Sequence, residues 1–497
     1  METKIRIGWA EESLTPDKRI SLYGQFYERV SEGVESPITV TAFALECNNE
    51  QMVICSCDLT QINPGLQTRV REKLEGKVDL PLEKIMLHST HTHASHTYSV
   101  YKAPERLTSL DTLNKWVTDG MLYKPLVTAD DSIMTPDEAL EFISGKIALA
   151  VKSAWEQRKP AVYSCGFGRA AVGMSRRACY DDGSAQMWGD TNTPNFTHLE
   201  GGSDNGIEMI FTFDSEKNPT GVILNIACPS QVMEHRNLIS SDYWGKVKQN
   251  LREKFGEDFY VCGLCSPAGD QCPRDLIRWQ NGETPINDPN ISRPNYIERR
   301  SDGSMFDVNG IKRIGKRIAN EVFDAFEEIS EYRNDAEFIH ITETVSMPLR
   351  RVSLSEAKKA KEELNKFIEK NKGRPFDYND TAAMHVFAGT LARFEVQQNM
   401  DMFDFEAHFI RLGDIAFATN PFELFLDYAN RIRARSLAKQ TFLIQLCCDS
   451  CGYLPTEIAE KGSHYSAYVS SGQADHIGGD LLVRKTLTTI NSFFKNR

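Results

Sequence analysis

Short apolar runs separated by polar turns dominate the first part of the chain. Alternating apolar and polar residues, or a short continuous apolar run, predict β-strands. Residues 65–74 have helical spacing and stand between two of these runs. Strand, helix and strand in this order predict an α/β fold, in which functional sites gather at the carboxyl ends of strands. The strands predicted here are residues 5–10, 38–45, 52–58 and 84–87.

The rest of the chain continues this alternation, which predicts mixed β-sheets flanked by helices. Residues 136–157 carry apolar residues at helical spacing, and Pro136 suits the first turn of a helix. Residues 353–371 are so highly charged that we expect a surface helix. The further helices predicted are 311–329 and 424–437, and the further strands are 161–172, 208–213, 221–228, 259–263, a pair within 405–423, and 441–446.

The sequence has no feature that would mark a boundary between domains. No internal repeat, low-complexity tract or flexible linker interrupts the 497 residues, so we expect a single domain over residues 1–497. Three irregular or strongly charged segments are expected to be surface excursions of this domain, near residues 100–135, 275–309 and 351–400.

Composition excludes several classes of protein. Apolar residues make up 41% and charged residues 25%, as in an ordinary globular protein. The net charge is −12 and no basic stretch could follow a phosphate backbone, so nucleic acid is not expected as a partner. The first residues lack the apolar core of a signal peptide, and no run could span a bilayer. Together with twelve cysteines, which indicate reduced thiols, this predicts a cytoplasmic protein.

Four of the eleven histidines fall within residues 88–96, directly after the apolar run 84–87. If the predicted strand continues through this cluster, its period of two places His91 and His93 on one face. Two neighbouring imidazoles at the end of a buried strand suit a metal site or acid/base catalysis. The alternative is that the histidines only form hydrogen bonds at a polar strand end.

Four other polar clusters occur where an apolar run leads into a turn. Taken singly, each is typical of ordinary structure, because a turn Asp usually caps, a Tyr usually packs in the core and a Glu after Pro usually starts a helix. These clusters are Cys228-Pro229-Ser230-Gln231, Gly269-Asp270-Gln271-Cys272-Pro273, Pro421-Phe422-Glu423 and Gly452-Tyr453-Leu454-Pro455-Thr456.

Together, and in this order, the clusters resemble the neutral/alkaline ceramidase family, whose members hydrolyse an amide with a bound zinc. The specific parts of the resemblance are the Thr90-His91-Thr92-His93 element and Tyr465, twelve residues after Tyr453. The resemblance spans nearly the whole chain and implies the catalytic domain of the family, without its C-terminal β-sandwich. The other matching segments are Gly8-Trp9-Ala10, Thr15-Pro16, Gly24, Leu238-Ile239-Ser240-Ser241-Asp242 and Ala268-Gly269-Asp270.

The resemblance implies a metal centre with one zinc ion per chain. Zinc lowers the pKa of a bound water and polarises a carbonyl, as amide hydrolysis requires. The implied zinc ligands are His91, Glu423 and Tyr453. Where the family has another ligating His before a Pro, this chain has Cys228. Either the thiolate completes a mixed site, or the metal is lost or shifted toward His235 or His93.

The resemblance also implies the residues that act on the substrate. His93 is a catalytic or substrate-binding neighbour of the metal, and Arg176 and Tyr465 contact the scissile carbonyl or its developing oxyanion. Where the family has a serine before Pro, this chain has Cys272, which contacts substrate, acts as a nucleophile or is inert.

Two aspartates and two histidines are expected to hold the residues of the site in place. Asp242 suits an acceptor for a ligating imidazole, and Asp270 is expected to orient neighbouring groups in a similar way. His88 and His96 are expected to be structural, because the wider pattern needs only two histidines of the cluster.

These observations predict a metal-dependent hydrolase with an α/β fold. It is expected to cleave an amide of a small soluble substrate through a metal-activated water. A lactonase or esterase is the nearest alternative, since the same groups serve any acyl carbon. A cysteine hydrolase without metal is a further alternative. A protein that binds a metal or ligand without catalysis is the alternative from a different class.

Overall fold

Two β-sheets packed face to face form the centre of the computed structural model, which describes residues 4–99, 107–118, 120–191, 193–277 and 307–495. Parallel and antiparallel neighbours are mixed in both sheets. In spatial order the described strands of the first sheet are β17 (Tyr260–Cys265), β15 (Pro219–Ile226), β14 (Gly206–Asp214), β9 (Lys159–Arg169), β1 (Ile5–Ser13), β5 (Thr39–Cys47), β6 (Glu50–Cys57) and β7 (Ile85–Ser89). Those of the second are β19 (Phe338–Pro348), β20 (Met402–Leu412), β21 (Ile415–Thr419) and β23 (Gln440–Ile444).

Short strands and helices complete the described part of the chain. The short strands are β2 (Arg19–Leu22), β3 (Arg29–Val30), β4 (Gly33–Val34), β8 (Ile133–Met134), β10 (Met174–Ser175), β11 (Arg177–Tyr180), β12 (Ala185–Met187), β13 (Phe196–Leu199), β16 (Leu238–Ile239), β18 (Gln271–Cys272), β22 (Glu423–Leu424) and β24 (Tyr453–Leu454). The helices are α1 (Pro64–Leu74), α2 (Ser109–Trp116), α3 (Pro136–Glu156), α4 (Tyr243–Phe255), α5 (Asp307–Glu327), α6 (Leu354–Asn371), α7 (Tyr378–Val396), α8 (Leu426–Arg433), α9 (Glu457–Gly462) and α10 (His476–Ser492).

The layers follow in the order helix, sheet, sheet, helix. Helices α1 and α3 share a buried core with the outer face of β1, β5 and β6, while α4 and α5 cover β9, β14 and β15. Helices α8 and α10 cover the outer face of the second sheet. Between the sheets lie large side chains such as Trp9 and Phe43, and Phe417 stacks on Phe442 with ring centroids 4.8 Å apart. Burial on both faces explains why these strands read as apolar runs.

Several elements predicted from periodicity are confirmed. Strands β5 and β6 form an antiparallel hairpin whose turn residues Asn48 and Asn49 have φ of 51° and 68°, a conformation that Asn tolerates. Helix α3 begins one residue after Thr135, which forms a capping box with Glu138. The mixed α/β architecture with helices on both sides is therefore the one that the pattern predicts.

Other elements differ from the prediction. The strand after residue 84 ends at Ser89, before the paired histidines. The helix predicted over 424–437 is shorter, because residues 423–424 pair as a strand with residues 453–454. Strand β19 and helices α4, α7 and α10 were not predicted. Helix α7 carries a local signal that could have predicted it, the capping box of Asp377 and Asp380.

The predicted excursion near 351–400 contains α6 and α7, which share a small core of their own with α2. Helix α6 buries only Ala357, Ala360 and Leu364, as expected for a charged surface helix. Within the other two excursions, residues 100–106 and 278–306 lie outside the described residues. The single-domain organisation stays a prediction. None of the helices in the described ranges has the length and apolar character needed to cross a membrane.

Candidate active site

The ends of three strands meet where the histidine cluster begins. The backbone N–H of Cys265, at the end of β17, donates to Nε2 of His88 at 3.0 Å. Beyond β23, the N–H of Cys448 donates to the carbonyl of Leu87 at 2.8 Å. His88 therefore has a structural role, since it links β7 to β17, and burial lowers its pKa to about 3. His96 is likewise bonded to the carbonyl of Leu14, at 2.8 Å.

His91 and His93 lie in the loop after β7. His91 has a φ of 63°, a left-handed conformation that is uncommon outside glycine. This turn brings the two imidazole rings to a centroid distance of 4.8 Å. Nδ1 of buried His91 donates to the carbonyl of Thr60 at 2.6 Å. The loop thus places the two imidazoles together, although the strand has already ended.

Glu423 reaches this pair from β22, which forms a separate two-stranded sheet with β24. Its Oε2 lies 3.5 Å from Nε2 of His91. Parallel pairing of β22 with β24 sets Glu423 beside Tyr453. Although burial raises the pKa of the Glu423 carboxyl, His91 and Arg176 outweigh burial and lower it. A Cβ at Gly269 would lie 2.3 Å from the Glu423 carbonyl, so only glycine permits this close packing.

The hydrogen bonds indicate which ring nitrogens could bind a cation. A carbonyl only accepts, so neutral His91 carries its proton on Nδ1 and its lone pair on Nε2. Nε2 of His91 faces Nε2 of His93 at 3.2 Å. Burial lowers the pKa of His93, so this ring is neutral at neutral pH. Nε2 of His91 thus lies within 3.5 Å of both His93 and the Glu423 carboxylate, and imidazole and carboxylate are ligand types that zinc uses.

Glu234 holds His93 from the opposite side, and sequence analysis missed it. Its Oε2 lies 3.3 Å from Nδ1 of His93, an ion-pair distance without the alignment of a full hydrogen bond. Its Oε1 accepts from Nη2 of Arg274 at 2.8 Å. Burial opposes ionisation, but Arg274 and His93 outweigh it and lower the pKa of Glu234 to about 2. The only sequence signal for Glu234 was its position three residues after Gln231, the last residue of the cluster Cys228-Pro229-Ser230-Gln231.

Acid is expected to remove the stabilisation that ionised Glu234 contributes. Its folded-state pKa of about 2 lies below the ordinary 4.5, so the folded protein binds fewer protons here than the unfolded chain. This contribution is fully present above the ordinary value and is lost as the pH falls through the folded value. Glu234→Gln should therefore be less stable at neutral pH and lose less stability on acidification.

Urea unfolding from neutral pH down to the folded-state pKa measures this difference. Glu257→Gln, which changes an exposed carboxyl, is the matched control and should follow the wild-type profile. An acid-induced loss of stability in Glu234→Gln as large as in the wild type would show that this carboxyl contributes nothing.

Arg176 and two tyrosines form the other wall of the candidate site. Nη2 of buried Arg176 donates to the carbonyl of Gly269 at 3.0 Å and to the Tyr453 hydroxyl at 3.4 Å. The Tyr453 hydroxyl donates to that of Tyr465 at 3.3 Å. Burial, Glu423 and Tyr465 all raise the pKa of Tyr453, so its hydroxyl keeps the proton that it donates to Tyr465. The structure thus brings together six predicted residues, His91, His93, Arg176, Glu423, Tyr453 and Tyr465.

Cys228 and Cys272 lie behind this wall. Sγ of Cys228 contacts the carbonyl of Pro229 at 3.5 Å, and the hydrogen bonds of the described residues do not join it to the predicted ligands. Sγ of Cys272 donates to the carbonyl of Arg274 at 3.2 Å. Burial raises the pKa of Cys272 to about 12 and that of Cys228 well above its ordinary value. Neither environment favours a thiolate.

The two aspartates bind backbone amides. Asp242, with a φ of 58°, accepts from the N–H groups of Met233 and Tyr243 at 2.8 Å each. It thereby closes the loop that carries Glu234. Asp270 accepts from the N–H of Leu426 at 2.9 Å. Burial raises the pKa of Asp242 to about 7 and that of Asp270 to about 6. In this structure both support the loops around the site.

Aromatic side chains surround the outer side of the site. Gly24 has a φ of 111°, and a Cβ there would lie 2.6 Å from the His93 ring, so this glycine lets the turn after β2 pack on the histidine. Phe26, in the same turn, contacts Tyr465 with ring centroids 6.3 Å apart and His385 of α7 at 5.7 Å. The turn and the helical excursion thus lie next to the candidate catalytic residues.

The comparisons with known proteins agree with this architecture. No protein-family model matches the sequence, and no curated protein matches it. Among solved structures, neutral ceramidase from Pseudomonas aeruginosa is similar with a TM-score of 0.67 and 14% identity, over 99% of this chain and 75% of that chain. A ceramidase complexed with C2 is similar with a TM-score of 0.68 and 14% identity, over 100% and 76%. At this identity the similarity establishes the fold, which is ceramidase-like and confirms the predicted fold class.

Proposed function

We propose that the protein is a hydrolase that cleaves the amide bond of a small soluble substrate. The observation that carries this proposal is the cluster that His91, His93 and Glu423 form with Arg176, Tyr453 and Tyr465. Electron-pair donors thus lie beside the hydrogen-bond donors Arg176 and Tyr465. This arrangement suits attack on a carbonyl, and the ceramidase-like fold supports the same class of reaction.

Zinc is the cofactor that this donor set fits. His91, Glu423 and Tyr453 are the proposed ligands, and a catalytic zinc site keeps a further position for water. A ligand role for Cys228 stays a prediction. When bound, zinc supplies a water of lowered pKa and polarises a carbonyl oxygen. We therefore propose one zinc ion at this site.

Four side chains of the protein have different roles in the proposed reaction. The Arg176 guanidinium and the Tyr465 hydroxyl donate hydrogen bonds to the oxygen that gains charge when the carbonyl is attacked. The neutral His93 imidazole accepts a proton from the nucleophile and passes it to the leaving amine. Glu234 is a positioning residue, since it pairs with Nδ1 of His93 and stabilises the ring when that proton is held.

The free cysteines bear on the cellular compartment of the protein, and the groups of the candidate site also fit two alternative functions. All twelve cysteines are free, which supports a reducing compartment such as the cytoplasm. A lactonase or esterase would use the same groups, because an ester carbonyl develops the same oxyanion. A non-catalytic metal-binding protein would keep the donors without turnover.

A substrate panel combined with metal removal tests the proposal. Purified protein is assayed against short N-acyl amides, matched esters and lactones, before and after dialysis against a chelator and after return of zinc. We expect amide hydrolysis that is lost on chelation and restored by zinc. Ester or lactone turnover alone would replace the amide assignment, and zinc binding with no turnover of any substrate would favour the binding protein.

A further inference from the structure

A second group of metal-ligating side chains lies on the second sheet and takes no part in the proposed reaction. Glu406 and His408 are two residues apart on β20, so they share one face of the strand. Cys448, with a φ of 62°, follows β23 and is held by the carbonyl of Leu87. The ligand atoms of these three side chains lie within 4.8 Å of one another.

A chain of hydrogen bonds determines which nitrogen of His408 faces this group. The carbonyl of Gln51 is 2.9 Å from Nδ1 of His340, so this nitrogen carries a proton. In its neutral form the His340 ring therefore accepts at Nε2, and the donor is Nδ1 of His408 at 2.9 Å.

When His408 is neutral, it presents the lone pair of Nε2 to the other two side chains. This atom is 2.9 Å from Oε1 of Glu406 and 3.5 Å from Sγ of Cys448. Three electron-rich atoms in a buried site repel one another unless a positive charge lies between them.

We propose that Glu406, His408 and Cys448 bind a zinc ion of their own. Imidazole, carboxylate and thiolate are ligand types that zinc uses in proteins. Ligands about 2.0 to 2.3 Å from a tetrahedral ion lie about 3.3 to 3.7 Å apart, which includes the His408–Cys448 distance. The Glu406–His408 contact has hydrogen-bond length and has to open by roughly half an ångström around the ion.

Two neighbours balance the charge of this site. Arg71 donates two hydrogen bonds to Glu406, at 2.7 and 2.8 Å, and so orients the carboxylate as partners behind metal ligands do. Sγ of Cys447 lies 3.7 Å from Sγ of Cys448 and adds a second thiol beside the three proposed ligands. Zn²⁺, the Cys448 thiolate, the Glu406 carboxylate and the Arg71 guanidinium sum to a charge of +1, which ionisation of the Cys447 thiol would neutralise.

The ion would be structural, because Glu406 and His408 lie on β20, apart from the residues of the proposed reaction. It would join β20 to the segment after β23, which also pairs with the end of β7 through a bridge between His88 and Cys447. Since β7 leads directly into the loop of His91, this site would stabilise the base of the candidate active site. The proposal does not depend on the hydrolase activity.

X-ray methods on the wild-type protein test the site without any substitution. Crystals grown with zinc are measured on both sides of the zinc absorption edge. We expect an anomalous peak between Glu406, His408 and Cys448, and a sulfur contribution in the zinc absorption fine structure. An anomalous peak at His91 alone, or no sulfur contribution, would overturn the proposal whether or not the hydrolase assignment holds.

Variants separate the two proposed sites in solution. Cobalt-substituted protein should show thiolate-to-cobalt charge-transfer absorption that Cys448→Ala removes, with a loss of one ion per chain. Cys57→Ala, which also removes a buried thiol, is the matched control and should keep the absorption. Cys228→Ala should keep it as well. If Cys448→Ala retains the absorption and the full metal content, the ion is not bound there.

Discussion

Replacing His91 by alanine is expected to lower kcat/KM for amide hydrolysis by about a thousandfold or more. The imidazole is buried and anchored on Thr60, and its Nε2 is the nitrogen that faces both His93 and Glu423. Metal chemistry contributes several kcal/mol to such a reaction, and about 4 kcal/mol corresponds to this factor. Zinc content should fall by one ion per chain in the same preparation.

The control for this variant is His198→Ala, which removes an exposed imidazole and should leave both activity and zinc unchanged. Thermal unfolding of both variants shows whether His91→Ala is folded. If His91→Ala keeps its zinc and its rate, His91 is not a ligand. If zinc falls but the rate is kept, the metal at this site is not the catalyst.

Replacing Arg177 by methionine is expected to lower the free energy of unfolding by about 3 to 5 kcal/mol. The Arg177 side chain is fully buried, and its Nε donates to Oε1 of Glu200 at 3.0 Å. It also donates to the carbonyls of Ala459, Ser463 and Tyr465. Methionine preserves much of the volume but leaves the Glu200 carboxylate without its cation in a buried position.

Urea unfolding measures this loss against two comparison variants. Arg435→Met removes an exposed arginine and should change stability little. Arg177→Met combined with Glu200→Met should be less destabilised than Arg177→Met alone, because no unpaired buried charge remains. Equal stability of Arg177→Met and Arg435→Met would contradict the assignment. Because Arg177 binds the segment that carries Tyr465, activity should fall together with stability.

Arg176 and Arg177 show how far sequence analysis could reach. The resemblance singled out Arg176, and the structure places it beside Tyr453 and Tyr465. Nothing in the sequence separated the adjacent Arg177, whose partners are more than 20 or nearly 300 residues away. Two arginines adjacent in sequence thus have different roles, and only their long-range contacts reveal which role each has.

Glu234 and Cys228 illustrate the same limit at the candidate site. The sequence suggests Cys228 as a ligand because it stands where the related pattern has a histidine, and this assignment stays a prediction. In the fold the Cys228 thiol lies 3.5 Å from the Pro229 carbonyl, and Glu234 lies against His93. Loop geometry causes this outcome, since Asp242 binds Met233 and thereby shapes the segment between them. The hydrophobic periodicity of the sequence gives no information on how such a loop folds.

The sequence by itself determined the elements with strong periodicity and the residue types available for chemistry. Apolar runs predicted the hairpin of β5 and β6 and the helix α3, because burial on a sheet face or helix face imposes a local period. The tertiary structure alone decided which reactive groups meet. His91, Glu423 and Tyr453 lie hundreds of residues apart or on separate strands, and sheet packing and strand register bring them together. Contacts of this kind depend on the whole fold, whereas periodicity records only whether a face is buried.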